Sequence, residues 1–471
     1  MPKETILYDL AVIGAGAAGL TASQSAAVLG WRVALIEGKH IGGDCTWVGC
    51  VPSKALLAVA RRVYQTRQSA HMGVYSDGVR VDFEGVMAFV KRTIAEIYAE
   101  ETPEALRALG VDVYEAYASF QDAHTLTLSD GRVLRAKRFI IAIGAKSNIP
   151  DGMSNVPYLT HETLFDLTTL PSHLLIAGGG AIGVEMAQAF VRLGSQVTLC
   201  TDQDRLLITE DAEVSAFAKE MLTREGVRIH THAQAQSAHG QTGNIHLETT
   251  QGTFTGSHLL IAIGKTPDVR ALHPERANIA TTPQGELVLT PTLRTSQPHI
   301  YACGDVTGKP LYTHAAGSEA SAAVLNLLLP FKSQKATNAP RALFTSPEIA
   351  QVGLTEEEAR AKHKSVFVTR LPFHRVDRAM TEAQPEGWLK LVHGQYGRLY
   401  GATIVGMNAA DMANEWLAIL NKGGRVSDMF FTAHIYPSFG SSNSILAGEF
   451  LRHMAHHTPL GRWIRRIVKR L

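Results

Sequence analysis

Two glycine-rich turns, far apart in the chain but set in the same local context, constrain this sequence most. The apolar run Asp9-Leu-Ala-Val-Ile13 precedes Gly14-Ala-Gly-Ala-Ala-Gly19, and alanine-rich residues 20–29 lead to Arg32-Val-Ala-Leu-Ile-Glu37. That order predicts strand, tight turn, helix and second strand, a βαβ unit. Gly14, Gly16 and Gly19 suit a turn that lets the backbone approach a pyrophosphate at a helix N-terminus. Glu37 lies 23 residues after Gly14, where a carboxylate meets a ribose hydroxyl. The pattern recurs: Leu174-Leu-Ile-Ala177 precedes Gly178-Gly-Gly-Ala-Ile-Gly183, a helix is expected through Leu193, and Gln196-Val-Thr-Leu-Cys200 follows. Here Gly178, Gly180 and Gly183 take the fingerprint positions, and the same offset of 23 lands on Thr201, with Asp202 beside it. Two such units imply two dinucleotides and electron transfer between them.

The rest of the chain is organised around these units. The runs at 139–144 and 259–264 both end Ile-Gly and are expected to close the two halves, whereas Ile300-Tyr-Ala-Cys-Gly304-Asp305 sets a carboxylate after a short strand. From Phe344 onward the glycine fingerprint is absent. Apparent strands at 388–392 and 399–405 alternate with helices and predict an α+β third domain. The expected fold is therefore α/β, with two Rossmann-like dinucleotide-binding domains followed by an α+β domain.

Composition narrows the class. Lys+Arg 45 against Asp+Glu 43 leaves +2, too balanced for nucleic-acid binding driven by overall charge. Four cysteines among 471 residues exclude a disulfide scaffold. Residues 10–31 carry no charge, but Gly14, Gly16, Gly19, Thr21 and Ser23 make the stretch too polar and broken for a spanning helix. A cytoplasmic location is expected.

Cys45 and Cys50 sit in Gly42-Gly-Asp-Cys-Thr-Trp-Val-Gly-Cys-Val-Pro-Ser-Lys54. No second cysteine or histidine pair follows to complete a metal site, and no metal is expected. A thiol pair beside a flavin suits a redox disulfide instead. With this segment and the two fingerprints, the chain resembles the FAD-dependent pyridine nucleotide–disulfide oxidoreductases over essentially its full length. Dihydrolipoamide dehydrogenase, glutathione reductase and mercuric reductase belong to that family.

The resemblance implies that Cys45 is the interchange thiol and Cys50 the charge-transfer thiol. Lys54, paired with Glu185, would lie near the reactive flavin nitrogen. Gly43, Gly144 and Asp305 join Gly14, Gly16, Gly19 and Glu37 in holding FAD, with Thr313 and Ala315 opening a helix that faces the flavin. Thr201 and Gly264 join the second fingerprint in holding NADH or NADPH. The implied organisation assigns residues 1–150 and 280–343 to FAD, 151–279 to the nicotinamide cofactor and 344–471 to homodimerisation. A C-terminal histidine, His434 in Ala433-His-Ile-Tyr-Pro437, would serve the partner's site as acid–base. Cys200 and Cys303 are expected to pack in cores.

Several positions depart from the family pattern. Ser441 stands where a glutamate is expected to orient His434, and Asp44 where a threonine commonly precedes the first cysteine. Asp202 disfavours a 2′-phosphate, so NADH is the expected donor. The C-terminal segment shows no cysteine pair, and no N-terminal metal-binding module is seen, which argues against mercuric reduction. The expected reaction passes electrons from the nicotinamide through FAD and Cys45–Cys50 to a small-molecule disulfide/dithiol substrate. The alternatives are a non-disulfide acceptor (quinone, metal ion or oxygen) or a non-enzymatic redox sensor. Finally, Leu460, Trp463, Ile464, Ile467, Val468 and Leu471 form an apolar stripe with Arg462, Arg465, Arg466, Lys469 and Arg470 mostly opposite. Packing on the protein itself is the favoured reading of that stripe, peripheral membrane contact the lesser one. His453, His456 and His457 read as a solvated helix face.

Overall fold

The computed structural model describes residues 7–308, 311–329, 339–457 and 459–468. Lys469, Arg470 and Leu471, which end the amphipathic stripe, lie outside the described residues, as do the side chains of Leu460, Ile464 and Val468.

Three of the four sheets that have four or five strands position the site. In the first, the strands run Ile300–Ala302, Phe139–Ile141, Leu10–Ile13, Val33–Glu37, Val111–Glu115, all parallel. Every residue of Leu10–Ile13 is buried, as a strand covered on both faces requires. One covering layer is the helix pair Ala17–Val28 and Thr313–Leu328. Both helices are rich in alanine, glycine and serine, and small side chains let their backbones approach closely.

The second sheet is also parallel, in the order Arg228–His230, Gln196–Cys200, His173–Ala177, His258–Ile261. Its crossover helix is Ala181–Leu193. A two-stranded antiparallel ribbon, Lys146–Ser147 against Lys265–Thr266, carries the chain out to this unit and back. The third sheet is antiparallel, in the order Arg341–Leu343, Glu348–Gly353, Leu399–Gly406, Trp388–His393, Phe367–Pro372. The strands expected at 388–392 and 399–405 are present, each one residue longer.

Each of the runs at 139–144 and 259–264 leads into a strand of the two-stranded ribbon; His258–Ile261 is an edge strand, and Phe139–Ile141 lies inside the first sheet. The returning chain adds Ile300–Ala302 outside it, aligned Ala302 to Ile141. A three-residue apolar strand from a distant segment thus takes the edge beside Phe139–Ile141.

The three units share a core. Leu56 and Phe83, Phe190 and Leu222, and Leu343 and Ile349 belong to one buried cluster drawn from all of them. No helix among the described residues is long and apolar enough to cross a membrane.

Candidate active site

The first fingerprint is shaped by contacts that exclude any side chain. Gly14 has φ +101°, and a Cβ there would lie 2.3 Å from the Ala142 carbonyl oxygen. A Cβ on Gly19 would lie 1.8 Å from the Gly14 carbonyl oxygen, and one on Gly43, at φ +57°, would meet the Gly16 Cα at 2.6 Å. Gly16 caps the Ala17–Val28 helix without any side-chain cap, leaving its first amides for an anion. Glu37 closes the turn from below: its Oε2 accepts from the Ala15 amide at 2.7 Å and its Oε1 from the Lys39 amide at 2.7 Å. Gly144 follows the Phe139–Ile141 strand at φ +75° with open space around it.

Asp305 lies beyond the strand Ile300–Ala302, and desolvation pushes its carboxyl above the usual range against the pull of Lys265. That ammonium is 4.0 Å away. A desolvated carboxylate with no close donor among the described residues suits a ligand hydroxyl. The glycine cradle, the open helix end and Asp305 together fit FAD. The second fingerprint repeats the geometry. A Cβ on Gly178 would lie 2.2 Å from the Ala262 carbonyl oxygen and one on Gly183 2.0 Å from that of Gly178, while Gly180 is open. Thr201 is buried, its Oγ1 accepting from the Gln203 amide at 3.3 Å. Gly264 stands at φ +106° near Asn148.

Cys45 lies in the short helix Gly43–Trp47, and Cys50 begins the 19-residue helix Cys50–Gln68. Thr313 begins the 16-residue helix Thr313–Leu328, and its Oγ1 lies 3.0 Å from Cys50 Sγ. Two helix N-termini therefore converge on one sulfur, which favours thiolate. The Cys45 thiol's hydrogen bond lowers the Cys50 pKa most, and Thr313 and the Lys54 ammonium add to it against desolvation. Cys45 moves the opposite way, raised first by its hydrogen bond to Cys50 and then by desolvation. The pair is thus asymmetric, with the negative charge on Cys50. Ala315, two residues further along the Thr313 helix, is buried.

Lys54 stands four residues after Cys50, on the same helix face. Its Nζ donates to Glu185 at 3.0 and 3.2 Å. Glu185, from the second unit, also accepts from the Phe344 amide at 2.8 Å. Cys200 and Cys303 are buried away from this chemistry; desolvation pushes the Cys200 thiol up to about 12 and raises Cys303 as well.

His434 is better held than its sequence context implies. The expected carboxylate is missing at Ser441, which instead donates to the Ser438 carbonyl. Glu415 takes its place: its Oε2 lies 2.9 Å from His434 Nε2, while Nδ1 lies 2.8 Å from the Thr432 carbonyl. The orienting carboxylate expected at 441 is thus supplied from position 415, and both ring nitrogens are engaged. Asp44 also has partners the sequence did not reveal. Its Oδ2 accepts from Lys265 Nζ at 2.6 Å and from His161 Nε2 at 3.0 Å. Desolvation pushes its carboxyl up, and the His161 and Lys265 contacts outweigh that and hold it well below the usual range. Asp44 was legible as an oddity beside Cys45; Glu415, nineteen residues from His434, carried no signal.

Two dinucleotide cradles flanking a thiol pair define a two-cofactor redox enzyme. The family described as pyridine nucleotide-disulphide oxidoreductase matches residues 8–320, and its dimerisation domain matches residues 339–444. The mercuric reductase of Streptomyces lividans is 33% identical over 95% of this chain and 97% of its own. The dihydrolipoyl dehydrogenase of Thermus scotoductus is 32% identical over 96% and 98%. The Cu(II) complex of the HOCl-induced flavoprotein disulfide reductase RclA from Escherichia coli superposes with TM-score 0.85 at 28% identity, covering 94% of this chain and all (100%) of that one. The chain belongs to the pyridine nucleotide–disulphide oxidoreductases, enzymes that use FAD and a nicotinamide nucleotide, and it carries their dimerisation domain.

Proposed function

We propose that this chain is a cytoplasmic, homodimeric NADH-dependent reductase of a small-molecule disulfide, working through Cys45 and Cys50. The asymmetric thiol pair carries this reading. Bound FAD would supply two-electron transfer between the nicotinamide and the cysteines. Gly14, Gly16, Gly19, Gly43, Glu37, Gly144 and Asp305 would hold it, Thr313 and Ala315 would border it, and Lys54–Glu185 would keep a positive charge near its ring. Gly178, Gly180, Gly183, Thr201 and Gly264 would hold NADH, and Asp202 would repel a 2′-phosphate.

Cys45, once deprotonated, attacks one sulfur of the acceptor. The acceptor's S–S bond breaks and its first thiol leaves with a proton. Cys50 then attacks Cys45 in the mixed disulfide, releasing the second thiol and forming the Cys45–Cys50 bond. Overall, NADH and one proton convert the disulfide to two thiols and NAD⁺. His434 can move a proton in this cycle only when Nε2 leaves Glu415.

That restriction favours a second reading, in which the acceptor is a soft metal ion captured between the two sulfurs. Thiolate capture needs no proton donor for a departing thiol. Relatives carrying the name mercuric reductase and one obtained as a Cu(II) complex support that class of acceptor. Steady-state assays with NADH and NADPH against small disulfides, a quinone, Hg(II) and Cu(II) decide between the readings. A disulfide with the highest kcat/KM supports the first, a metal ion the second. Equal inertness toward all of them overturns both.

A further inference from the structure

The C-terminal helix Pro459–Val468 follows the helix Ser441–His457, beyond the residues matched by the dimerisation domain, which end at 444. One side of it is fixed to the protein. Gly461 is buried, and a Cβ there would lie 2.2 Å from the Met454 carbonyl oxygen. Arg465 also donates to His456 Nδ1. At about 100° per residue, Trp463 and Ile467 fall on the side away from Gly461, with Arg462 and Arg466 beside them. The structure leaves that side open: Trp463 is 59% exposed and Ile467 39% exposed. Arg462, Arg465 and Arg466 are exposed as well.

The favoured sequence reading, an apolar stripe packed on its own protein, therefore does not hold for these two residues. No aspartate or glutamate occurs in the helix sequence PLGRWIRRIV, and Lys469 and Arg470 continue the basic run in sequence. This is a local concentration of positive charge in a chain whose net charge is only +2. A two-fold contact of the helix with its copy would set arginine against arginine. Nucleic acid would match the charge but not the apolar pair. An anionic bilayer matches both, since phosphate headgroups receive the arginines while an indole and an aliphatic side chain enter the headgroup–acyl boundary.

We propose that the Pro459–Val468 helix docks this enzyme peripherally on anionic lipid bilayers, with Trp463 and Ile467 inserted and Arg462 and Arg466 on the headgroups. Docking is independent of which electron acceptor the enzyme uses.

The test is co-sedimentation of the FAD-loaded full-length protein with phosphatidylcholine vesicles, with and without phosphatidylglycerol. Binding should be at least about tenfold stronger with the anionic lipid and should weaken with added salt. A blue shift of tryptophan emission should accompany it. Trp463→Ser with Ile467→Ser should abolish binding while every positive charge remains. Arg462→Gln and Arg466→Gln together should weaken it at least about tenfold while the apolar pair remains. Both variants should keep wild-type FAD content and NADH oxidation, which separates lost docking from misfolding. The proposal is overturned if the protein stays in the supernatant, or if it binds neutral and anionic vesicles alike. It is equally overturned if the serine variant still binds, or if that variant changes the oligomer's mass without the wild type binding vesicles.

Discussion

The two glycine fingerprints have nearly superimposable backbone logic and different floors. In both, the first glycine is left-handed and its missing Cβ makes room for a carbonyl from the neighbouring strand, Ala142 in one and Ala262 in the other. Under the first turn lies Glu37, its carboxylate bonded to two backbone amides. At the matching place in the second, Thr201 offers one buried hydroxyl already engaged by Gln203. The first site is thus braced by a charge that rigidifies the turn, and the second is not. Such a difference suits a cofactor that stays against one that enters and leaves each cycle.

The largest effects should come from filling the cradles. Gly14→Ala should yield protein without FAD, read as flavin absorbance per chain. Gly178→Ala should retain FAD and slow its reduction by NADH in stopped flow. Loss of FAD in both variants would break the distinction. Replacing the thiols comes next. Cys50→Ser should reduce acceptor turnover to background, whereas Cys45→Ser should show long-wavelength absorbance from a thiolate beside oxidised flavin without any reductant.

Smaller shifts sharpen the second site. Thr201→Glu should lower KM for NADH by about tenfold, equivalent to about 1.4 kcal/mol, by giving this turn the acid the first one has. Asp202→Arg should move preference toward NADPH. A wild type that already prefers NADPH would overturn the NADH assignment. The smallest effect concerns pH. Because the Cys50 pKa is lowered, its thiolate persists below the ordinary thiol range and is lost only as pH falls through the lowered value. In the Cys45→Ser background, Thr313→Val should move that midpoint upward by about one unit, since a hydrogen bond to a charged group is worth about 1.5–3 kcal/mol. An unchanged midpoint would remove Thr313 from the account of Cys50.

The features readable in the sequence were those enforced by local geometry. Gly14 and Gly178 announce themselves because only glycine tolerates both their φ and the carbonyl beside them. The Cys45–Lys54 segment is compact enough that spacing alone sets Cys50 and Lys54 on one helix face. What stayed hidden depends on segments that meet only after folding. Ile300–Ala302 becomes an edge strand because the second unit returns the chain there, and three apolar residues cannot advertise that. Lys265 reaches Asp44 across 221 positions, and Thr313 reaches Cys50 across 263. Glu415 replaces a carboxylate expected at 441 by approaching His434 from another helix, so a motif-based reading registered a vacancy where the fold supplies a substitute.

The carboxylate of Glu185 has a consequence for anyone recombining such enzymes. It receives Lys54 from the first unit and the Phe344 amide from the third while belonging to the second. Nearby, Arg192 binds Glu225 within the second unit and also donates to the Ser346 carbonyl of the third, and Lys390 of the third reaches back to Asp211. The second unit is therefore no interchangeable cassette. A chimera that imports another enzyme's second unit to change coenzyme preference must import these joints as well, or it will leave buried charges facing a foreign surface.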